Sequence, residues 1–221
     1  MYQDILRNLY NKYNVSDFFE NDYEYLSESI NDINELWNDN IKNIEQIKLI
    51  ILAEAPMWGD NKKYFYNQCT DHSQFFYKSD LEYVTNQNIK NKKELISELN
   101  KTGTIILDFS PFPFNPSKTK LSYKCDNEGY SKKIKKTDYQ NILNETFLLH
   151  LKSRLEIIKQ KTNDLENIRI CYRYGRVKQN LHKILKDLFL KEGFKTINNA
   201  VSISMNGGGI DKEKLNNEII G

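Results

Sequence analysis

The sequence IKLIILA, at Ile47–Ala53, is a short continuous apolar run rich in isoleucine. Branched aliphatic residues favour extended backbone, and a run without polar alternation is typical of a strand buried on both faces of a sheet. Three later segments are predicted to be strands as well: Thr104–Phe109 (TIILDF), Ile168–Tyr172 and Thr196–Ser204. The sequence therefore predicts four strands, with Ile47–Ala53 as the first.

The segments between these strands have the residue periodicity of helices. Apolar residues recur every three or four positions in a long helix predicted from Thr137 to Ile158, and again from Gly175 to a stop at Gly193. Another helix is predicted to end at Asn100–Gly103. Strands that alternate with helices predict a parallel sheet covered on both faces. The expected fold class is α/β, a three-layer α/β/α fold around a central, mainly parallel, four-stranded sheet.

The first 46 residues differ from the rest of the chain in charge. They hold ten acidic and three basic residues, which gives a net charge of −7. Because the whole chain has a net charge of +2, the remaining residues carry +9. Helices are predicted here at Tyr2–Tyr13 and Ser27–Ile44. We expect a single domain over residues 1–221, with residues 1–46 as a helical cap and residues 47–221 as the α/β core. A basic core with an acidic cap suits a polyanionic partner, and a solvated helical surface is an equal alternative.

Composition limits the expected location and cofactors. No segment reaches the roughly 18 apolar residues of a membrane span, and Met1–Ile5 lacks the basic stretch and apolar run of a secretory signal. The three cysteines, Cys69, Cys125 and Cys171, are scattered and predict no disulfide framework, zinc pattern or iron–sulfur cluster. We expect a cytoplasmic, monomeric protein that uses no cofactor and no metal ion.

Ligands of parallel α/β sheets lie beyond the carboxyl ends of the strands. That rule selects four segments of this chain: Glu54–Asn67, Asp108–Pro116, Arg173–Lys178 and Ser204–Gly209. A carboxylate directly after a buried strand, as Glu54 is, must be hydrogen-bonded or serve a ligand. The four segments therefore predict a site, and the alternative for the first is a tight turn whose aromatic residues fill the core.

The segment Glu54-Ala55-Pro56 resembles the first motif of the family-four branch of uracil-DNA glycosylases, which reads Gly-Glu-Ala-Pro-Gly. In motif order the resemblance covers about residues 47–210, and Glu54-Ala55-Pro56 is its close match. It implies a uracil-DNA glycosylase-like fold, DNA as the partner, and extrusion of a base before its N-glycosidic bond is cleaved. It also implies an aromatic residue that stacks on the extruded base, a position that Phe65 or Tyr66 could match.

The resemblance also places a residue that reads the pyrimidine edge after the second strand. The superfamily often has Asn there, and Asp108 occupies the position in this chain. Asn donates and accepts hydrogen bonds, whereas an ionised carboxylate only accepts, which suits a base with an exocyclic amine such as cytosine or a modified cytosine. A protonated Asp108 would remove that discrimination.

The chain departs from the family pattern at other positions. The superfamily supplies a histidine after the fourth strand, where this chain has Ser204, Asn206 and a glycine-rich turn. The best-known branch has a water-positioning Asp where this chain, like family four, has Ala55, and the iron–sulfur cysteines of family four are absent. These differences predict either a chemistry that differs in detail from uracil excision or a protein that keeps the fold without catalytic activity.

For the glycosylase, four residues are expected to be catalytic. Glu54 would position water or stabilise the developing sugar cation, and Asp108 would read the base edge. Ser204 and Asn206, with nearby backbone N–H groups, would support the departing base. The expected substrate-binding residues come from the first two segments: Ala55, Pro56, Tyr64, Phe65, Tyr66, Ser110 and Pro111.

Basic residues in two places suit phosphate contact. Lysines in the loop after the second strand are interleaved with Tyr123 and Tyr130, and arginines stand at Arg173–Lys178. A solvated loop is the alternative for the lysines. The expected DNA-binding residues are Lys118, Lys120, Arg173, Arg176, Lys178, Gly207 and Gly208.

The three histidines form no metal-binding pattern. His182 is expected to be exposed and His150 partly buried, and His72, near the aromatic residues of the first segment, is the one worth testing.

The leading hypothesis is an enzyme that excises uracil or a modified pyrimidine from DNA, in repair or in defence against phage. A first alternative is a glycosylase for bulky modified cytosine in phage DNA, because the turn Ser204–Gly209 leaves more room than a histidine motif. A second is a non-catalytic nucleic-acid-binding module with the same fold. A third is a nucleotide-binding protein that uses the glycine turn as a phosphate nest, although the chain has no P-loop or Rossmann glycine pattern.

Overall fold

The computed structural model describes residues 1–71, 75–76, 78–124, 129–206 and 208–220. Within these ranges the chain is an α/β fold with an all-parallel, four-stranded central sheet. The strands are β1 (Leu49–Ala53), β2 (Thr104–Asp108), β3 (Leu121–Ser122), β4 (Lys132–Lys133), β5 (Arg169–Tyr172) and β6 (Val201–Ser202). The helices are α1 (Tyr2–Lys12), α2 (Phe19–Lys42), α3 (Lys78–Thr85), α4 (Lys92–Lys101), α5 (Lys136–Thr146), α6 (Leu151–Gln160), α7 (Gly175–Lys191) and α8 (Lys212–Ile220).

The central sheet has the strand order β2-β1-β5-β6, and β3 and β4 form a separate parallel pair. Ile50 of β1 lies opposite Ile105 on one side and Ile170 on the other. Every residue of β1 and of β2 is buried, which explains why these strands are continuous apolar runs. The prediction of a parallel four-stranded sheet is confirmed, and the arrangement is compatible with three α/β/α layers.

The N-terminal helices share one hydrophobic cluster with the sheet. Trp37 of α2 is fully buried, and its indole Nε1 donates to the main-chain oxygen of Ile106 in β2 at 2.9 Å. The hydroxyl of Tyr25, also in α2, accepts a hydrogen bond from the N–H of Gly59 at 3.1 Å. The cap therefore holds both β2 and the loop that follows β1.

The prediction of one long helix from Thr137 to Ile158 is wrong, because the chain forms two helices with a turn between them. α5 ends at Thr146 and α6 begins at Leu151. The turn carries Leu148 outward, where 68% of it is exposed, and turns His150 inward to contact the main-chain oxygen of Asp108 at 2.9 Å. A long-range contact to the sheet thus overrides the local helical pattern.

Two other boundaries differ from expectation. α2 begins at Phe19, eight residues before the predicted start at Ser27, because buried Phe19 and Asp22 extend its inner face across a polar stretch. The predicted fourth strand is shorter, since Lys195–Asn199 is a 3-10 helix and β6 pairs only with β5. Helices α3 and α8 are not predicted by the sequence pattern.

Gly103, between α4 and β2, tests how closely the main chain packs at the start of β2. Its φ is +73°, and an added Cβ would lie 2.5 Å from the main-chain oxygen of Gln46, whereas Gly129 has the same φ and nothing within 4 Å of such a Cβ. Both alanine substitutions carry the left-handed backbone cost of about 1–2 kcal/mol. We expect Gly103→Ala to lower the free energy of unfolding by roughly 1–3 kcal/mol more than Gly129→Ala, because a main-chain segment must move. Urea denaturation measures both effects, and equal destabilisation would contradict the close approach at Gln46.

Candidate active site

The carboxyl ends of the strands open into one cavity of about 840 Å³, within the range of about 300–1,000 Å³ that is common for small-molecule sites. All four segments selected from the sequence contribute to its lining. Glu54 follows β1, Asp108 ends β2, Tyr174 lies between β5 and α7, and Ser204 follows β6. The sheet therefore brings these segments together at one edge.

Asp108 lies on the floor of the cavity and is 3% exposed. Burial raises its pKa to about 6, against the opposing effects of the Arg154 guanidinium and of a hydrogen bond from Tyr64. The Tyr64 hydroxyl donates to Oδ2 of Asp108 at 3.4 Å. The floor thus holds a carboxyl group whose pKa is well above the ordinary value for an aspartate.

Glu54 is the second carboxylate of the cavity and forms an ion pair with Arg176 at the start of α7. Burial raises the pKa of Glu54, and the charge of Arg176 is the main opposing effect. The Arg176 side chain is about half exposed, so it faces solvent as well as Glu54. An incoming anion could therefore draw Arg176 away from the carboxylate.

The wall beside the two carboxylates is aromatic, formed by Tyr64, Phe65, Phe75 and Tyr174. The ring centres of Phe65 and Phe75 are 5.5 Å apart, and those of Phe75 and Tyr174 are 6.4 Å apart. Such a wall suits a flat, π-rich ligand.

Tyr66 is outside the cavity lining and has a different task. Its hydroxyl accepts a hydrogen bond from the main-chain N–H of Ile106 at 2.7 Å. Because β2 is an edge strand of the central sheet, this hydroxyl satisfies a main-chain donor that has no neighbouring strand. The structure thus separates Phe65, which lines the cavity, from Tyr66, which covers the sheet.

Ala55 and Pro56 line the cavity, whereas Ser110 and Pro111 are buried and do not line it. The N–H of Ser110 donates to the main-chain oxygen of Glu54 at 3.1 Å, and its hydroxyl bonds to that of Tyr123. Ser110 is therefore placed to support Glu54 rather than to contact a ligand.

Ser204 and Asn206 border the cavity from the side of β6. The Ser204 hydroxyl oxygen accepts from the N–H of Gly175 at 2.9 Å and lies 2.8 Å from the hydroxyl of Ser202. Asn206 is exposed at the rim, and Gly208 follows with a φ of +93°. Gly207 lies outside the described residues, as do His72 and Cys125.

The expected DNA-binding side chains occupy different environments. Arg173 is 1% exposed and braces two walls of the cavity, donating from Nε to the oxygen of Phe75 at 2.7 Å and from Nη1 to that of Gly208 at 3.2 Å. Lys118 pairs with Asp60, and the Lys120 ammonium lies over the rings of Phe18 and Tyr130. Lys118, Lys120 and Lys178 do not line the cavity, whereas Arg176 does.

Several lining residues are not singled out by the sequence pattern. Lys63 and Tyr174 lie inside the selected segments and could have been found by the same strand-end rule. Lys214 lies in α8, which has no clear sequence signal, and Phe75 follows the first segment. Together with Arg176, the cationic side chains of the lining are Lys63, Lys124 and Lys214.

The two histidines of the described chain are structural. His150 is buried and neutral, because burial holds its pKa well below the ordinary value, and its Nε2 contacts the main-chain oxygen of Asp108. His182, expected to be exposed, is instead half-buried, with Nδ1 3.0 Å from the hydroxyl of Tyr172.

The chain matches no protein-family model, no curated protein and no solved structure. Within the ranges described above, no three or more His, Cys, Asp or Glu side chains are grouped so that they could hold a metal ion. In the same part of the chain, no helix has both the length and the apolar character to cross a bilayer. The function is therefore inferred from the chemistry of the cavity.

The hydroxyl of Tyr66 can be tested apart from the cavity. Tyr66→Phe removes the acceptor of a buried N–H, so we expect the free energy of unfolding to fall by about 1–3 kcal/mol and the Ile106 amide to exchange faster with deuterium. Tyr83→Phe is the matched control, because Tyr83 is exposed. Destabilisation no larger than that of the control would show that Ile106 does not depend on Tyr66.

Proposed function

We propose that this chain is a DNA glycosylase, which extrudes a pyrimidine nucleotide and cleaves its N-glycosidic bond. The observation that carries the proposal is the lining of a single cavity, where two carboxylates, an aromatic wall and a cationic rim meet. A pyrimidine nucleotide offers a partner to each of them: a flat base, a sugar that becomes cationic, and phosphates. The resemblance of Glu54-Ala55-Pro56 to the family-four motif supports the same function, with a uracil-DNA glycosylase-like fold.

In the proposed complex the base lies against the ring of Phe65, and Asp108 meets its polar edge from the floor. The carboxylate of Asp108 accepts a hydrogen bond from an exocyclic amine, as found in cytosine and its derivatives. Tyr64, which donates to the same carboxyl group, orients it toward the cavity.

Glu54 acts on the sugar. As the bond between C1′ and the base nitrogen breaks, its electron pair leaves with the base, and positive charge develops on the sugar. A carboxylate beside the sugar stabilises that charge. Water then adds to C1′, and Glu54, whose pKa is raised by burial, takes the proton that the water loses.

The departing base gains negative charge and needs hydrogen-bond donors. Asn206 and the hydroxyl of Ser204 border the cavity on that side, together with Gly208 and Gly209. These groups are dipoles and carry no full positive charge, so their effect depends on exclusion of water from the closed site.

The rim supports DNA as the substrate rather than a free base. Lys63, Lys124, Arg176 and Lys214 are exposed residues of the cavity lining and would contact phosphates on either side of the extruded nucleotide. Arg176 would then exchange Glu54 for a phosphate and leave the carboxylate free to act.

Two exposed methionines add an apolar element to the same opening. Met57 and Met205 line the cavity from two different segments, one after β1 and one after β6. Apolar side chains of this kind insert between base steps in DNA-bending proteins. They would hold open the gap that an extruded nucleotide leaves in the duplex.

A second candidate is a glycosylase for bulky modified cytosine, as carried by some phage DNA. It is favoured by the cavity volume of about 840 Å³, which approaches the upper end of about 1,000 Å³ for sites that hold drug-sized ligands. The turn at Gly208 and Gly209 adds no side-chain bulk on that side.

The proposal is tested by abasic-site formation. Duplex and single-stranded DNA bearing uracil, cytosine, 5-hydroxymethylcytosine or a glycosylated cytosine is incubated with the protein, and alkaline cleavage reveals abasic sites. We expect activity on at least one substrate, lowered about 100-fold or more in Glu54→Gln, and a preference shifted toward uracil in Asp108→Asn. Asp39→Asn on the exposed side of α2 is the control.

No abasic site on any of these substrates would overturn the enzymatic proposal. Equal activity of the wild-type protein and both site variants would show that the reaction occurs elsewhere in the molecule.

The path of the DNA is tested by salt dependence. Removal of one phosphate-binding side chain should reduce the slope of log K against log salt concentration by about 0.9 for duplex DNA. We expect a smaller slope for Lys63→Gln combined with Lys124→Gln, and no change for Lys42→Gln on α2. Lys118→Gln combined with Lys120→Gln tests the loop, and a larger effect there than at the rim would move the DNA path away from the cavity.

A further inference from the structure

Arg154 in α6 is a buried cation whose described contacts are with neutral groups. It is 4% exposed. Its Nη2 donates to Oδ1 of Asn34 at 2.9 Å, and its guanidinium lies 4.6 Å from the ring centre of Trp37. Its Nη1 is buried and has no hydrogen-bond partner within the described chain.

Such an arrangement is costly for a group that never loses its charge. A buried positive charge needs an opposite charge nearby to offset the loss of hydration. Neither an amide oxygen nor an indole ring supplies a full negative charge. A carboxylate just beyond the residues that Arg154 contacts would supply that negative charge.

The contacts around Arg154 lead to Asp108. Trp37, over which the guanidinium lies, donates to the main-chain oxygen of Ile106, two residues before Asp108 in β2. His150, one helical turn before Arg154, contacts the main-chain oxygen of Asp108 itself. Ile106 and Asp108 both line the cavity. Arg154 itself does not line the cavity, so it lies behind the residues that form the floor.

We propose that Arg154 is a positioning residue that keeps Asp108 ionised at neutral pH, so that the cavity floor only accepts hydrogen bonds and selects a base with an exocyclic amine. The charge coupling is a property of the folded protein alone. The selection of the base rests on the proposed glycosylase function.

The electrostatics of Asp108 agree with this arrangement. Burial is the largest effect on its pKa and raises it, and the charge of Arg154 is the largest effect that lowers it, ahead of the hydrogen bond from Tyr64. Without Arg154, a larger fraction of this buried carboxyl group would be protonated at neutral pH. The protonated form donates as well as accepts, so the floor would distinguish an amine from a carbonyl oxygen less well.

The other titratable groups that face Asp108 from the surrounding elements are Glu54, Tyr64, Tyr66, Tyr123, His150 and Tyr174. Burial raises the pKa of each of these tyrosines, so they stay neutral. Burial lowers the pKa of His150, which is neutral as well, and Glu54 is paired with Arg176.

The coupling is tested by measuring the pKa of the Asp108 carboxyl carbon with 13C NMR. An opposite charge nearby lowers the pKa of a carboxyl group by about 1–3, so we expect Arg154→Met to raise the pKa of Asp108 by about one or more. Arg154→Lys should restore most of the difference. Arg7→Met, on the exposed side of the cap, is the control and should leave it unchanged. An unchanged pKa in Arg154→Met would overturn the coupling, whether or not the protein cleaves DNA.

A second variant keeps the test open if Arg154→Met does not fold. Asn34→Asp preserves the shape of the side chain and gives Arg154 a carboxylate of its own at Nη2. The charge of Arg154 is then offset, and the pKa of Asp108 should rise. A pKa that stays at its wild-type value in a folded Asn34→Asp protein would overturn the proposal.

The selection of the base has its own readout. At pH 7.5 the ratio of cytosine-type to uracil excision should fall about tenfold or more in Arg154→Met, and Arg154→Lys should recover it. A raised pKa with an unchanged ratio would overturn the selection while leaving the coupling intact. If the wild-type protein excises no base, the glycosylase proposal fails and the NMR result still decides the role of Arg154.

Discussion

The central constraint of this molecule is that β1 is hydrogen-bonded on both edges and packed on both faces. All five residues of Leu49–Ala53 are apolar and buried. The first polar side chain after them is that of Glu54, which therefore lies at the carboxyl end of the strand. Asp108 ends the neighbouring strand directly opposite Ala53. The two carboxylates are therefore positioned by the main-chain ladder of the sheet.

The floor of the cavity is held from behind as well as from within the sheet. Trp37 and His150 contact the main-chain oxygens of Ile106 and Asp108, so helix α2 and the turn before α6 both hold the end of β2. The guanidinium of Arg154 lies over the ring of the same Trp37. The end of β2 thus lines the cavity through Asp108, while Arg154, on its other side, acts on the charge of that carboxyl group.

The sequence predicts this molecule best where local pattern and tertiary structure agree. The isoleucine-rich strands and the strand-end rule select Glu54 and Asp108 from the sequence alone, because both depend on residues adjacent in the chain. The turn before His150 and the burial of Arg154 cannot be predicted in this way. Each depends on contacts across the fold, and the contact of His150 with Asp108 spans 42 residues. Phe65 and Tyr66 are likewise distinguished only by what lies beside them in space.

The contact between Tyr66 and Ile106 also concerns how the protein behaves at high concentration. An edge strand of five residues, such as β2, offers unpaired main-chain groups to the edges of other molecules, and such edges promote aggregation through intermolecular strand pairing. The loop that supplies the cavity with Phe65 covers this edge with the next residue along the chain. The residue that lines the cavity and the residue that covers the edge are therefore adjacent in the chain, so a change that displaces this segment would also uncover a surface prone to self-association.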